Sequence, residues 1–249
     1  TFSQSVFRRE KLFPVGIAGA LSGMAADLDV FIQSSIDPLL FLEFHRQFTH
    51  SLCFIPVGAL IAALSLFYFF KNYLTWNETY ITCFIGYATH ALLDACTAYG
   101  TQLLWPFSSE RIAWNNISII DPLFTLPLIV LMTSACIKQS RICVILGLGW
   151  ALVYMSMGIV QKYRALDLGQ AIALSRGHSA NLLSVKPSFG NLLLWKVIYE
   201  YDDYYYVDAL RLTFNPQFCP GQKVEKLNLS NHIPDLKKDS QQARDIERF

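Results

Sequence analysis

Apolar residues are gathered into blocks along this chain rather than dispersed evenly. The blocks cover residues 12–26, 52–70, 79–104, 123–137 and 142–160, with short polar or basic segments between them. A helix of about 20 residues crosses the ~30 Å hydrocarbon core of a bilayer, and the block at 52–70 matches this length most clearly. The pattern predicts a mainly α-helical membrane protein with about five transmembrane helices.

The first apolar block contains glycine at helical spacing. Gly16, Gly19 and Gly23 are three or four residues apart, so they lie near one face of a helix. Small residues at this spacing let two helix backbones approach each other in a membrane. We therefore expect this helix to pack closely against another one.

The pattern changes in the C-terminal third of the chain. Residues 163–176 are predicted to form an amphipathic helix that ends at Gly177, and residues 182–186 a short strand. Two runs rich in aromatic and β-branched residues, 192–200 and 204–214, flank a Tyr-Asp-Asp sequence and predict a β-hairpin.

These patterns divide the chain into three parts. Residues 1–160 are predicted to be a transmembrane helical domain that contains the functional site, and residues 161–229 a small α+β extramembrane domain. Residues 230–249 are polar and charged, which predicts a mobile tail. The predicted fold class is a mainly α membrane protein with a small α+β C-terminal domain.

Composition supports the membrane prediction and excludes other classes. The chain is 53% hydrophobic and 16% charged, with a mean hydropathy of +0.33, whereas ordinary globular proteins have about 25% charged residues. A net charge of +1 without a basic patch or stripe gives no signature of nucleic-acid binding. The six cysteines form no C-x-x-C pair, so neither a disulfide framework nor a cysteine zinc site is indicated.

The basic residues of the short loops predict an orientation. Five alternating helices place six of them on one side, namely Arg8, Arg9, Lys11, Lys71, Lys138 and Arg141. Arg46 and Arg111 fall on the other side, so the first set is predicted to be cytoplasmic, although Lys162 and Arg164 oppose this. We expect a multi-pass inner-membrane protein whose functional site and C-terminal domain lie on the non-cytoplasmic side.

A polar heptad, His45-Arg46-Gln47-Phe48-Thr49-His50-Ser51, precedes the clearest apolar block. It contains two of the five histidines of the chain. His45 and His50 are too far apart in sequence to share one helix face, but a loop can direct both inward. Each histidine taken alone is more often structural. Thr49 and Ser51 are expected either to support the histidines or to cap a helix.

Two acidic motifs accompany the heptad. His90 and Asp94 are four residues apart within the third apolar block, so they share a helix face. His90 lies near the middle of this predicted membrane-spanning helix, where an ionisable residue indicates function. The alternative is that the pair forms a hydrogen bond between helices. Asp27 and Asp29 follow the first block in a predicted turn, where one carboxylate can bind a metal and the other support it. The alternative for this pair is a charged flank of a loop.

Together these side chains predict a metal site, because their segments end at the same predicted face. The expected ligands are Asp27, Asp29, His45, His50, His90 and Asp94, with Asp27 either supporting the others or binding a second metal. Such nitrogen and oxygen ligands bind zinc, manganese or iron, of which zinc is favoured. Arg46 is expected to clamp an anionic substrate, and Asp121 to support the ligands or bind a second metal. A bound divalent metal lowers the pKa of water towards ~7, which predicts attack of activated water on an ester or phosphoester.

Several of these segments resemble a known family, the LexA-regulated, membrane-bound metal-dependent hydrolases of bacteria and archaea (YdjM-like inner-membrane hydrolases). The similar segments are residues 19–23 leading into Asp27-Leu28-Asp29, the heptad, Thr89 to Asp94, Thr97-x-Tyr99-Gly100 and Leu104 to Phe107; further similar segments extend to about residue 229. The chain has Ala26 where the family tends to have proline. The resemblance implies metal-dependent hydrolysis at a membrane and leaves the substrate class open.

The predicted function is therefore that of a membrane-bound metal-dependent hydrolase. Its expected partners are membrane lipids, and a lipid or lipid-linked substrate is favoured because the site lies within reach of headgroups. Two other functions remain open: an ion or proton transporter, and a non-catalytic scaffold in which the Asp and His residues are structural. The sequence shows neither an inverted repeat nor a pair of broken helices, which disfavours the transporter.

Overall fold

A computed structural model describes residues 2–35, 37, 39–237 and 239–248. Its longer helices are α1 (Leu12–Ala25), α3 (Ile55–Phe70), α4 (Trp76–Ala95), α5 (Pro122–Lys138) and α6 (Arg141–Ser175). Shorter helices are α2 (Leu40–Phe44), α7 (Leu229–His232) and α8 (Gln241–Arg248), with 3-10 helices at Phe2–Ser5, Arg9–Lys11, Ala26–Phe31 and Phe48–His50. The strands are β1 (Leu183–Pro187), β2 (Leu194–Tyr201), β3 (Tyr204–Arg211) and β4 (Gln217–Glu225). The prediction of a mainly helical chain with a small C-terminal sheet is confirmed.

Helices α1 and α4 touch through their backbones. A Cβ atom added at Gly86 of α4 would lie only 2.2 Å from the carbonyl oxygen of Gly19, so no side chain fits there. Gly23 faces the same turn of α4, and the Ser22 hydroxyl donates a hydrogen bond to the carbonyl of Cys83 at 2.9 Å. The glycine spacing of α1 thus produces the close helix packing that it predicted.

Helix α4 begins at a capping box and ends earlier than predicted. At its start the Thr75 side chain accepts from the Glu78 N–H, while the Glu78 carboxylate accepts from the Thr75 N–H. The prediction of a helix at 79–104 was wrong at the far end, because α4 stops at Ala95. The segment after it is apolar, but Gly100 adopts a positive φ of 81° and Thr101 pairs with Ile112 in an isolated bridge. The residues after Ala95 are thus largely apolar, but they do not continue the helix.

Helix α6 joins two helices that the sequence predicted separately. It runs for 35 residues without a break and passes through the predicted domain boundary between residues 160 and 161. Gln161 and Lys162 at this point are good helix formers, so nothing local ends the helix. The Gln161 amide nitrogen donates to the carbonyls of Leu192 (3.1 Å) and Leu212 (3.0 Å), which ties α6 to the loops of the sheet.

The C-terminal strands form one antiparallel sheet in the order β1-β2-β3-β4. Strands β2 and β3 make the predicted hairpin, with Tyr201 opposite Tyr204. The sheet packs on α6, where a Cβ at Gly169 would lie 2.8 Å from Val197. The sequence did not predict β4, which contains Pro220; at the edge of a sheet the missing N–H of proline is tolerated.

Fewer helices qualify as membrane spans than the sequence predicted. Among the described residues, two helical segments are long and apolar enough to cross a membrane, Arg9–Phe31 and Arg141–Ser175. A third span is counted if Leu40–His50 and Ile55–Phe70, which meet at 88°, are taken together. Length and composition therefore support two or three spans, and the predicted five are not confirmed.

The sheet is attached at one end of the helices. The Gly190 N–H, in the loop after β1, donates to the carbonyl of Ile120, just before α5, at 3.1 Å. A Cβ at Gly158 of α6 would lie 2.2 Å from the carbonyl of Asn116. The connection from α4 to α5 therefore lies between the sheet and the helices, so the sheet and the C-terminal end of α4 share one end of the protein.

Candidate metal centre

Three short segments bring polar side chains to the C-terminal end of α4. The 3-10 helix at Ala26–Phe31 continues α1 and contains Asp27 and Asp29. The 3-10 helix at Phe48–His50 precedes α3 and ends in His50. The last turns of α4 itself contain His90 and Asp94. Because α1 and α4 are in backbone contact, these segments meet.

Four side chains place one ligand atom each within 4.8 Å of the others: Asp27, His50, His90 and Asp94. His50 Nε2 lies 3.5 Å from Asp27 Oδ1 and 3.2 Å from Asp94 Oδ2. His90 Nε2 lies 3.3 Å and 3.6 Å from the same two oxygens. Each imidazole nitrogen thus faces both carboxylates. We call these four residues the Asp/His group.

The spacing of the Asp/His group fits a metal ion better than a set of hydrogen bonds. Ligand atoms about 2.0–2.2 Å from a common centre at tetrahedral angles lie roughly 3.3–3.6 Å apart, close to the separations found here. His50 Nε2 and His90 Nε2 are buried without a hydrogen-bond partner among the described residues, and buried Asp94 Oδ2 is ion-paired with Arg46 Nε at 3.0 Å. Buried polar atoms without partners are rare. Their convergence is typical of a metal site with two nitrogen and two oxygen ligands.

Charge and exposure also fit a cation. The His50 side chain is fully buried, whereas that of Asp27 is 42% exposed, so the group opens to its surroundings on the Asp27 side. Two carboxylates face each other across the group, and the Arg46 guanidinium lies 3.0 Å from Asp94. One guanidinium offsets the charge of one of the two carboxylates. A cation bound between them would offset the charge of the other.

Asp29, which was predicted to be a ligand, lies behind His50 and outside the Asp/His group. Its carboxylate is fully buried and accepts hydrogen bonds from His45 Nδ1 (2.8 Å), the Arg46 N–H (3.0 Å) and the Thr49 hydroxyl (2.5 Å). The single hydroxyl proton of Thr49 therefore goes to Asp29, and Thr49 Oγ1 accepts from His50 Nδ1 at 2.9 Å. In a neutral His50 imidazole, these hydrogen bonds leave the lone pair on Nε2, the atom that faces the Asp/His group.

His45 was also predicted to be a ligand, and the structure places it outside the group. Its Nδ1 is occupied by Asp29, and its ring centre lies 6.3 Å from that of His50. Of the two roles expected for Thr49, its hydroxyl contacts fit support of the histidines. The Ser51 hydroxyl accepts from the N–H of Phe54, the residue before α3, and makes no cap bond to α3 itself.

Arg46 stands beside the Asp/His group with a constrained backbone. Its φ of 60° is uncommon for a residue with a side chain. Its carbonyl accepts from the Gln102 N–H and the Thr101 hydroxyl, while its guanidinium contacts Asp94 and donates to Thr97 at 3.3 Å. Contacts on both sides of the chain thus hold a strained residue next to the proposed ligands.

Asp121, which was expected to support the ligands or bind a second metal, has a structural environment. It is the N-terminal cap of α5 and accepts from the Phe124 N–H at 3.3 Å and the Tyr154 hydroxyl at 2.7 Å. Its oxygens are not among the four ligand atoms of the Asp/His group.

Arg111 and Tyr99 lie beside the site, and the sequence predicted no role in the site for either of them. The Arg111 guanidinium donates to the carbonyls of Leu42 and His45, which fixes the loop leading into the heptad. The Tyr99 ring lies between two guanidiniums, 5.0 Å from Arg46 and 5.6 Å from Arg111. The Thr97-x-Tyr99-Gly100 resemblance was the only indication that this turn adjoins the site.

The fold and the site together define a helical membrane protein with a candidate Asp/His metal centre at one end of its helices. Residues 3–165 match the family model of the YdjM inner membrane proteins, and the chain belongs to that family. The resemblance noted in the sequence is thereby confirmed, and the family description supports an inner-membrane location.

One curated relative shares part of the chain. The uncharacterized protein YfhP of Bacillus subtilis (strain 168) is 30% identical over 110 residues, which are 43% of this chain and 32% of YfhP. The chain thus matches about a third of the length of that relative. No solved structure matches the chain.

Proposed function

We propose that the protein is a membrane-bound metal-dependent hydrolase of esters or phosphoesters. The observation that supports this most directly is the convergence of two imidazole nitrogens and two carboxylate oxygens, with both nitrogens buried and without hydrogen-bond partners among the described residues. Asp27, His50, His90 and Asp94 would hold a divalent ion, for which zinc is favoured over manganese or iron. A divalent ion at such a site polarises a substrate oxygen and activates water near neutral pH.

Neighbouring residues would support such an ion. Asp29 and Thr49 hold the proton of the neutral His50 imidazole on Nδ1, so that Nε2 would be free to bind the ion. Asp27, the most exposed member of the group, lies on the side from which water can enter. Arg46 lies close enough to Asp94 to share its charge and to stabilise negative charge on a substrate oxygen.

The proposal includes an arrangement in the membrane. Helices occur in all five predicted apolar blocks, and we propose that all five cross the inner membrane. The basic residues of the loops place the C-terminal end of α4 on the non-cytoplasmic side. The sheet, which shares that end, would lie on the same side as the metal site.

Metal content tests the first half of the proposal. The full chain is purified in detergent and its metals are measured by mass spectrometry, alongside His90→Ala and a matched variant at an exposed histidine, His232→Ala. We expect stoichiometric transition metal in the parent chain and in His232→Ala, and its loss in His90→Ala. Absence of metal from the parent chain, or equal content in both variants, would refute the metal site.

Catalysis tests the second half. The same preparations are assayed with carboxylic and phosphoric esters, before and after a chelator, and after zinc is added back. We expect hydrolysis that stops with the chelator, returns with zinc and is absent in His90→Ala. Stoichiometric metal without cleavage of any ester would refute the hydrolase and favour the transporter, which ion flux into proteoliposomes then measures.

A further inference from the structure

A cavity of about 600 Å³ lies between α1, α4, α5 and α6 and borders the Asp/His group through His90. Its walls are almost entirely apolar, and they include Met24, Leu92, Trp114, Leu128 and Leu152. Its volume lies within the ~300–1,000 Å³ of small-molecule sites, and an apolar pocket that ends in a few polar groups is the usual form of such sites.

The contrast between His90 and the rest of the lining indicates the occupant of this cavity. His90 is part of the lining, and its Nε2 belongs to the group of proposed ligands. Thr89 is also part of the lining, but its hydroxyl donates to the carbonyls of Ile85 and Gly86 within α4. The rest of the lining offers a ligand almost no hydrogen bonds. A molecule that fits is therefore apolar along its length and polar at one end.

A second cavity, of about 390 Å³, reaches the site from the other side of α1 and touches Asp29 and Thr49. The Asp29 oxygens already accept hydrogen bonds from His45, Arg46 and Thr49. A ligand in this second cavity would meet groups that are fully engaged. Of these two cavities, the larger borders a member of the Asp/His group and the smaller does not, so the substrate is placed in the larger one.

We propose that the larger cavity holds the acyl chain of an ester lipid, with the ester group at His90 and the other members of the Asp/His group. This assignment rests on the proposed function and gives its substrate class. Hydrolysis would break the bond between the acyl carbon and the alkoxy oxygen; water supplies hydroxyl to the acyl carbon and a proton to the departing alcohol.

The cavity would contribute by positioning the acyl chain rather than by removing it from water. In a bilayer the hydrocarbon around the protein is as apolar as the cavity wall, so burial there adds little affinity. A cavity lined by His90 would instead fix the position of the first carbons of the acyl chain beside the Asp/His group. Correct placement of the reacting bond beside the catalytic groups is itself a large part of catalysis.

Cavity filling provides the test. Ala20 is an exposed residue of α1 that lines the cavity, so Ala20→Phe puts a ring into it from the rim. Ala171→Phe, at an exposed position of α6 that is not part of the lining, is the matched control. Both variants and the parent chain are irradiated in detergent with a diazirine-bearing palmitate ester, and labelled peptides are identified by mass spectrometry.

We expect label on Leu92, Trp114 and Leu152 in the parent chain and in Ala171→Phe, and at least tenfold less in Ala20→Phe. Equal labelling of Ala20→Phe and the parent chain would overturn the assignment. So would labelling of these residues by a diazirine-bearing long-chain alkyl phosphate but not by the acyl ester, because the substrate would then be a phosphoester of a long-chain alcohol.

Hydrolysis of p-nitrophenyl butyrate and palmitate by the same preparations separates this inference from the function on which it rests. We expect Ala20→Phe to lose at least tenfold in cleavage of the palmitate ester and less than twofold in cleavage of the butyrate ester. An equal loss for both esters would overturn the acyl-chain assignment while the hydrolase stands. Cleavage of neither ester by the parent chain would instead overturn the enzyme, and with it the substrate.

Discussion

Replacement of Thr49 by valine tests whether the residues behind His50 control the metal site. Valine keeps the shape of the side chain and removes the hydroxyl that links His50 Nδ1 to Asp29, at 2.9 Å and 2.5 Å. Without this link, the proton of the neutral imidazole is no longer held on Nδ1. A fraction of the molecules would then carry it on Nε2, the atom that faces the Asp/His group, and could not bind the ion.

The expected loss of metal affinity depends on the contacts that His50 keeps in Thr49→Val. Groups that orient a metal-binding histidine typically change metal affinity by about 10–100-fold, or about 1.4–2.8 kcal/mol. His50 Nδ1 is also 3.4 Å from Asp29 Oδ2, so the carboxylate can partly replace the lost hydroxyl. We therefore expect a loss near the lower limit, about tenfold in affinity, with one metal site per chain still filled at saturating zinc.

Zinc affinity is measured by competition with a coloured chelator in detergent, with the melting temperature as a check on folding. Thr49→Ser is the matched control, because it keeps the hydroxyl and loses only a methyl group, and it should bind zinc within about threefold of the parent chain. Affinity in Thr49→Val equal to that in Thr49→Ser would show that the hydroxyl does not support the metal site.

Two further substitutions test other contacts of the fold. Gly86→Ala would force α1 and α4 apart, because its Cβ meets the Gly19 carbonyl at 2.2 Å. Overpacking of this kind costs about 1–3 kcal/mol. The variant should therefore unfold at a lower temperature than the control Gly149→Ala, where no atom lies within 4 Å of the added group. Equal melting of the two variants would contradict the packing. Tyr154→Phe removes the 2.7 Å hydrogen bond to buried Asp121, which should destabilise the protein by about 1.5–3 kcal/mol and leave its metal content unchanged; loss of metal would return Asp121 to the site.

Periodicity predicted the parts of the site that depend on one helix. His90 and Asp94 share a face because they are four residues apart, and both belong to the Asp/His group. The pair Asp27 and Asp29 could not be resolved in the same way. Residues two apart point in different directions, so only one of them can reach the group. Which one does so depends on the rotation of the 3-10 helix at Ala26–Phe31, and that rotation is set by the contact of α1 with α4.

The position of His45 could not be predicted from local periodicity either. The heptad predicted that both histidines could turn inward, but the path of a loop is fixed by distant contacts. Here the Arg111 guanidinium donates to the carbonyls of Leu42 and His45. Helix ends were uncertain for a related reason. Apolar residues continue past Ala95 without a sequence break before Gly100, so hydrophobicity alone could not show where α4 stops.

The unbroken α6 has a mechanical consequence. At about 1.5 Å per residue, its 35 residues extend for roughly 52 Å, whereas a bilayer core is about 30 Å thick. Roughly 20 Å of helix therefore stands clear of the hydrocarbon, and the sheet is fastened along that part through Gln161 and Gly169. Ala151 and Met155 of the same helix form a wall of the larger cavity. No break in α6 separates the part that carries the sheet from the part that lines the cavity. A partner that rotated the sheet would therefore also rotate that side of the cavity.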